Sequence, residues 1–116
     1  RQGRTFLIGD AAHINNPRGG MGMNGGIHDA VNLASRLAAV WHGEKTEEID
    51  RYDKQRRGVT LEYIQKYTIQ NKKNLESSGD EFGASLKAIK ADAARTREYL
   101  LRVSMIASLT RASELG

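Results

Sequence analysis

The sequence predicts a mostly helical chain that opens with one strand and continues as three or four helices. An apolar run at residues 5–8 indicates the strand, and from Met23 onward apolar residues recur every three or four positions, as in amphipathic helices. The chain has 116 residues, of which 39% are hydrophobic and 6% aromatic. This length and composition allow one modest core. We expect residues 1–43 to form a unit of strand, loop and helix, and residues 44–116 to form a helical region.

The predicted strand is a short apolar segment bounded by turn-forming residues. Residues 5–8 read Thr-Phe-Leu-Ile, and a continuous apolar run of this length is typical of a buried strand. Gly9 and Asp10 follow and are expected to end the strand with a carboxylate at its tip. A glycine-dense loop then leads into the first helix, and its glycines are Gly19, Gly20, Gly22, Gly25 and Gly26.

The first helix is predicted from Met23 to near Gly43. Its apolar residues share one helical face: Met23, Ile27, Ala30, Val31, Ala34, Leu37, Ala38 and Trp41. We expect this helix to pack inward along its whole length.

A second, longer helix is predicted from Thr46 to about Leu75. Thr46 is expected to be its N-cap, because acidic residues follow in the first turn, where the helix dipole favours negative charge. Residues 77–80 form a polar break. A short helix around Phe82 and a final helix through residues 99–109 follow, and Asp92 is the candidate cap of the final helix. The apolar positions of these two helices are Phe82, Leu86, Ile89, Tyr99, Leu100, Val103, Ile106 and Leu109.

The charge distribution argues against nucleic-acid binding. The net charge is +4, but basic and acidic side chains are interspersed along the whole chain. The densest basic cluster, Lys54, Arg56 and Arg57, is predicted to be a solvated helix face. We expect no membrane span, because no apolar run approaches the roughly 20 residues required.

The sequence contains no cysteine, so it cannot form a disulfide framework. A cytoplasmic location is the default expectation. The sequence starts at Arg1 without a signal peptide, and we expect it to be a fragment of a longer protein.

The glycine loop contains a literal match to a dinucleotide-binding fingerprint, at Gly20, Gly22 and Gly25. A Rossmann turn is nevertheless not predicted, because the first glycine would have to follow the strand directly and a second parallel strand would have to follow the helix. The remaining interpretation is a wide loop whose bare backbone can approach a flat ligand. It leads into a helix N-terminus that favours negative charge.

Residues 3–37, GRTFLIGDAAHINNPRGGMGMNGGIHDAVNLASRL, resemble the second flavin-binding motif of FAD-dependent aromatic hydroxylases of the para-hydroxybenzoate hydroxylase type. The resemblance implies that FAD is the cofactor and that the chain is the C-terminal part of an α/β FAD-binding fold. It also implies that the whole enzyme hydroxylates an aromatic small molecule with O2, using NAD(P)H as reductant.

The same resemblance implies a role for individual residues. Asp10 would accept hydrogen bonds from the ribityl hydroxyls, Pro17 would lie beside the substrate, and the amides from Gly22 to Asn24 would face the pyrimidine side of the flavin ring. The predicted cofactor-binding residues are Gly9, Asp10, Pro17, Gly20, Gly22, Met23 and Asn24. No catalytic residue and no metal ligand is predicted, and His13 and Asn16 are placed near the ring without a role.

The sequence lacks a site for the AMP half of FAD, so the isolated chain is expected to bind FAD weakly or not at all and to be inactive. Its apolar helix faces need partners, and a homodimer would provide them. Two alternatives stay open. One is a helical protein-interaction module, and the other is a related flavin enzyme such as a halogenase, an epoxidase or a reductase.

Overall fold

The protein is a set of helices preceded by an irregular N-terminal segment, as seen in a computed structural model that describes residues 1–76 and 79–116. The α-helices are α1 (Gly22–Trp41), α2 (Asp50–Val59), α3 (Lys66–Glu76), α4 (Gly79–Lys90), α5 (Ala93–Val103) and α6 (Ile106–Glu114). Three short 3-10 turns cover Gly9–Ala11, Pro17–Gly19 and Thr46–Ile49, and a π-helical segment covers Thr60–Gln65.

The predicted N-terminal strand is wrong. Ile8 has extended backbone angles, but the only β pairing within the described residues is an isolated bridge between Gln2 and Thr5. A strand requires a neighbouring strand for its backbone hydrogen bonds, and the described part of the chain offers none. Leu7 and Ile8 are also exposed rather than buried, at 55% and 41%.

The first helix is observed where it was predicted, but the expectation that its apolar face packs inward is wrong. Met23, Val31 and Trp41 are 76%, 62% and 87% exposed. The face of α1 that meets the rest of the chain is polar instead, and its members at helical spacing are Gly25, Asp29, Asn32 and Arg36.

The predicted second helix is a continuous helical rod from α2 through the π segment to α3. Its start differs from the prediction, because Lys45 rather than Thr46 precedes the 3-10 turn and no side chain caps it. The π segment buries Thr60 and Ile64 on the side that meets the core. A π-helical turn has hydrogen bonds from residue i to residue i+5 and is wider than an α-helical turn, so the residues that follow it are rotated around the helix axis.

The final helix of the prediction is divided into two helices in the structure, α5 and α6. Asp92 caps α5 as expected, accepting hydrogen bonds from the amides of Ala94 and Arg95. The helix then breaks because Met105 has a left-handed backbone with φ of 63°. Part of the predicted polar break, Ser77 and Ser78, lies outside the described residues.

The core is small and lies where the π segment meets the start of α1 and the break before α6. Its central cluster consists of Met21, Ile64 and Met105, with Tyr67 packed against it, and the other buried hydrophobic residues of the described chain are Ile49, Tyr52, Val59 and Ala112. The radius of gyration is 16.8 Å, against about 13 Å for a compact domain of this size. The fold is therefore elongated, which agrees with the exposed apolar face of α1.

Candidate functional site

The segment before α1 makes a tight turn that displays Asp10. Gly9 takes a left-handed backbone with φ of 57°, and the amides of Ala12 and His13 both donate to its carbonyl oxygen at 2.9 and 3.0 Å. Gly9 also lies against Gly26, where a Cβ built on Gly9 would come within 3.6 Å of the Gly26 Cα. The turn therefore rests directly on α1, and the Asp10 side chain is exposed at its tip.

Asp10 is close to the first turn of α1. A Cβ built on Gly22 would lie 3.9 Å from the Asp10 carboxylate oxygen Oδ1. The residue before the helix, Met21, provides no side-chain cap, and the first amide to find a helical partner is that of Gly25, at 2.8 Å from the Met21 carbonyl oxygen. The preceding amides are the ones that a helix leaves without internal partners.

Five of the seven predicted cofactor-binding residues lie at the start of α1 and on the turn before it. Gly9, Asp10 and Gly22 come together, and Met23 and Asn24 are exposed on the same first turn of α1. Gly20, with φ of 64°, borders open space, since no atom lies within 4 Å of where its Cβ would be. Pro17 starts the second 3-10 turn, which packs against α3.

Two of the loop glycines serve packing. A Cβ on Gly19 would lie 2.2 Å from the Thr68 methyl Cγ2, and one on Gly25 would lie 3.5 Å from the Ile64 Cδ1. These glycines let the loop approach the long helix closely. The bare backbone available to a ligand is therefore that of Gly20 and Gly22.

Beneath the Asp10 turn lies a buried polar network that the sequence did not predict. Asp29 is 0% exposed and accepts three hydrogen bonds. Its Oδ2 accepts from the Gly9 amide at 3.0 Å and from His13 Nε2 at 2.7 Å, and its Oδ1 accepts from Arg56 Nε at 2.7 Å. The side-chain nitrogen Nδ2 of Asn15 lies 3.1 Å from His13 Nδ1 and donates to it. This assigns the imidazole hydrogen that Asp29 accepts to Nε2.

The prediction that Arg56 belongs to a solvated basic face is wrong. Arg56 is 4% exposed, whereas its neighbours Lys54 and Arg57 are exposed as expected. A buried guanidinium is tolerated because it pairs with the carboxylate of Asp29. The missed signal was the polar periodicity of α1, in which Asp29 stands one turn after Gly25 and one turn before Asn32.

The electrostatics of the network favour a charged Asp29. Burial raises the pKa of this carboxyl, but hydrogen bonds from Arg56, the Gly9 amide and His13 outweigh it, so the pKa lies below its ordinary value. Burial lowers the pKa of the neighbouring His28, and the charge of Arg56 lowers it further. Asp29 is therefore an anion and His28 is neutral at pH 7.

Tyr52 connects the network to the N-terminal segment. Its hydroxyl donates to the Leu7 carbonyl oxygen at 2.6 Å, and burial followed by the nearby Asp29 charge raises its pKa to about 12. Tyr52, His13, Asp29 and Arg56 also line a cavity of about 440 Å³. No group of three or more metal-ligating side chains occurs within residues 1–76 and 79–116.

Comparison with known proteins shows which family this chain belongs to. The sequence profile described as "FAD binding domain" matches residues 1–66, which is more than half of the chain. The chain belongs to this FAD-binding domain family. The match confirms FAD as the cofactor of the family and includes the Asp10 turn, the glycine loop, α1 and Arg56.

Several curated relatives are similar over most of this chain. Tetracenomycin B2 monooxygenase-dioxygenase of Streptomyces olivaceus is 42% identical over 98 residues, covering 84% of this chain and 18% of that protein. Para-nitrophenol 4-monooxygenase of a Pseudomonas species is 39% identical over 106 residues, covering 87% of this chain and 26% of that protein. 6-Hydroxy-3-succinoylpyridine 3-monooxygenase of Pseudomonas putida is 37% identical over 106 residues, covering 86% and 27%.

These matches confirm the resemblance to FAD-dependent aromatic hydroxylases. The chain spans only 18% to 27% of the length of these three relatives. No solved structure shows significant similarity to the chain.

None of the helices in the described part of the chain is long and apolar enough to cross a bilayer.

The geometry fits part of an FAD molecule. An exposed carboxylate, Asp10, offers acceptors for sugar-type hydroxyls. The bare backbone at Gly20 and Gly22 allows close approach of a flat ring, and the start of α1, which the Met21 side chain does not cap, offers amide donors and a positive dipole end. These are groups of the kind that a ribityl chain and a flat flavin ring would require.

Proposed function

We propose that this chain forms the flavin-facing part of an FAD-dependent monooxygenase that hydroxylates an aromatic small molecule. The observation that carries the proposal is the exposed Asp10 carboxylate beside the first turn of α1, which the Met21 side chain does not cap, in a chain of the FAD-binding domain family. The names of the relatives support monooxygenation as the reaction class.

In this proposal Asp10 binds and orients the cofactor. A carboxylate has two acceptor oxygens and holds two ribityl hydroxyls at once, and charge-assisted hydrogen bonds of this kind are roughly twice as strong as neutral ones. Its position on a turn that rests on α1 fixes the acceptors relative to the helix. Asp10 thereby determines where along α1 the ring lies.

The start of α1 stabilises negative charge on the ring. The amides of Met23 and Asn24 would donate to the pyrimidine edge of the ring, and the helix dipole would add to the attraction for negative charge there. Pro17 lies on the substrate side and has no amide hydrogen to offer there. FAD supplies the redox chemistry when bound, and NAD(P)H and O2 are the proposed co-reactants of the whole protein.

The decisive experiment is an FAD titration of the complete gene product, followed by flavin fluorescence. Asp10→Ala is expected to weaken FAD binding by about tenfold or more, since it removes charge-assisted hydrogen bonds. Glu62→Gln is the matched control. Glu62 is also an exposed carboxylate, and it forms an ion pair with Arg111 instead of belonging to the Asp10 turn. Unchanged FAD affinity in Asp10→Ala would contradict the proposed site.

The 116 residues in isolation are proposed to bind FAD weakly or not at all and to be inactive. The residues proposed here would contact the ring and the ribityl chain only, and the one literal glycine fingerprint, at Gly20, Gly22 and Gly25, does not follow a strand as a Rossmann turn for the AMP half would. Micromolar or tighter binding of FAD by the isolated chain would contradict this. Product analysis with the complete protein separates hydroxylation from halogenation or epoxidation.

A further inference from the structure

The carboxylate of Asp29 accepts hydrogen bonds from both ends of the turn that carries Asp10. Oδ2 of Asp29 accepts from the Gly9 amide, which immediately precedes Asp10, and from His13 Nε2, which follows Asp10 by three residues. The two contacts measure 3.0 and 2.7 Å. Between them, the Gly9 carbonyl oxygen closes the turn by accepting from the His13 amide at 3.0 Å.

Asp29 is itself fixed in place. It is fully buried on α1, and its other oxygen accepts from Arg56 Nε at 2.7 Å, which ties it to α2. Because a buried carboxylate without partners is strongly unfavourable, each of these bonds restrains the others. The turn, α1 and α2 are thus joined at a single side chain.

Asp29 does not belong to the surface that would meet a ligand. Its side chain is 1% exposed, whereas Asp10 is exposed at the tip of the turn. An influence of Asp29 on FAD through contacts would therefore pass through the turn that carries Asp10. Holding a binding group in its bound geometry before the ligand arrives increases affinity, because less conformational entropy is lost on binding.

We propose that Asp29, held by Arg56, is a positioning residue that fixes the Asp10 turn for FAD binding without touching the cofactor. The proposal rests on the proposed function, since it assumes that Asp10 contacts FAD. It makes Asp29 and Arg56 determinants of cofactor affinity, a role that neither the loop sequence nor the exposed site reveals.

The test is a double-mutant cycle on FAD affinity in the complete gene product, with the wild type, Asp10→Ala, Asp29→Asn and the double variant. Asp29→Asn keeps the shape of the side chain and removes its charge. It is expected to weaken FAD binding by about fivefold to tenfold. In the Asp10→Ala background the same change is expected to cost no more than about twofold, because the group being positioned is absent.

The visible absorption spectrum of bound flavin provides a second readout. If Asp29 only stabilised the fold, the fraction of protein that binds FAD would fall, but the spectrum of the bound flavin would not change. We expect the spectrum of Asp29→Asn to shift towards that of Asp10→Ala. Independent losses in affinity that multiply in the double variant, with an unshifted spectrum, would overturn the proposal.

Arg56→Lys is the variant to use if Asp29→Asn does not fold. It keeps the charge but loses the geometry of the guanidinium, and it alters neither the turn nor α1. It is expected to weaken FAD binding in the wild-type background and not in Asp10→Ala, and an equal effect in both backgrounds would overturn the proposal. An unchanged affinity in Asp10→Ala itself would instead contradict the proposed function, so the two failures are distinguishable.

Discussion

Arg56 and Asp29 form a buried ion pair in which the guanidinium Nε donates to the carboxylate oxygen Oδ1 at 2.7 Å. The two side chains are 4% and 1% exposed, so that each ionic group depends on the other. The pair links α1 to α2 directly beneath the turn that displays Asp10. Removing one partner of such a pair typically costs about 3 to 5 kcal/mol, since it leaves an uncompensated buried charge.

Asp29 gives the first prediction, a loss of stability in acid. The pKa of Asp29 is lowered in the folded state, so folding is favoured by its ionised form above the unfolded value of 3.8, and this contribution is lost as pH falls through the folded pKa. Urea unfolding from pH 7 downward checks this. The wild type is expected to lose free energy of unfolding below about pH 4, and Asp29→Asn is expected to be less stable at pH 7 with a flatter acid profile. Parallel acid profiles for the two proteins would contradict the assignment.

Tyr52 gives a prediction at alkaline pH. Its pKa is raised to about 12 in the folded state, so its contribution to stability is complete below the unfolded value of 10.0 and is lost as pH rises towards 12. Absorbance titration of tyrosinate is expected to show a late component near pH 12 that Tyr52→Phe lacks. At pH 7, loss of the hydrogen bond to the Leu7 carbonyl is expected to cost about 1 kcal/mol. A titration curve that Tyr52→Phe leaves unchanged at its alkaline end would contradict this environment.

Gly19 gives a prediction about loop packing. A Cβ at this position would lie 2.2 Å from Thr68 Cγ2, so Gly19→Ala is expected to destabilise the protein by about 1 to 3 kcal/mol in urea unfolding. Thr68→Ser removes that methyl group and keeps the hydroxyl that donates to the Gln65 carbonyl. The double variant is expected to recover part of the loss. Gly20→Ala is a comparison in open space, where only the left-handed backbone is strained.

The exposed apolar face of α1 gives a prediction about association. Met23, Val31 and Trp41 are each more than half exposed, and contiguous apolar patches of this kind usually mark an interface. The 116-residue chain in isolation is expected to form dimers, which light scattering would detect. Val31→Glu places a charge on this face and is expected to shift the chain towards the monomer. A monodisperse wild-type monomer would contradict the prediction.

Local signals in the sequence predicted much of the helical architecture. Helical periodicity located α1, and the Asp92 cap located the start of α5, because both depend on residues close in sequence. The Asp10 turn was also recognisable, since glycines and an acidic residue occur together in one segment. The family match confirms the cofactor that this segment indicated.

Three of the wrong predictions share a physical cause, because the strand, the packing of α1 and the burial of Arg56 each depend on residues distant in sequence. Residues 5–8 are apolar, but a strand also requires a paired neighbour. The apolar face of α1 was assigned to the core, but the described chain meets its polar face through Asp29, Asn32 and Arg36. The burial of Arg56 depends on Asp29, which is 27 residues away in sequence. The left-handed backbone of Met105 has no recognisable signal, since residues other than glycine rarely adopt it.

The measurement that tests the central claim most directly is a crystal structure of the complete gene product with FAD bound. The expected result is that the Asp10 carboxylate oxygens lie within hydrogen-bond distance of the ribityl hydroxyls, at about 2.5 to 3.2 Å, with the ring against the first turn of α1. A structure in which the ring binds elsewhere, and in which Asp10 faces solvent, would contradict the account.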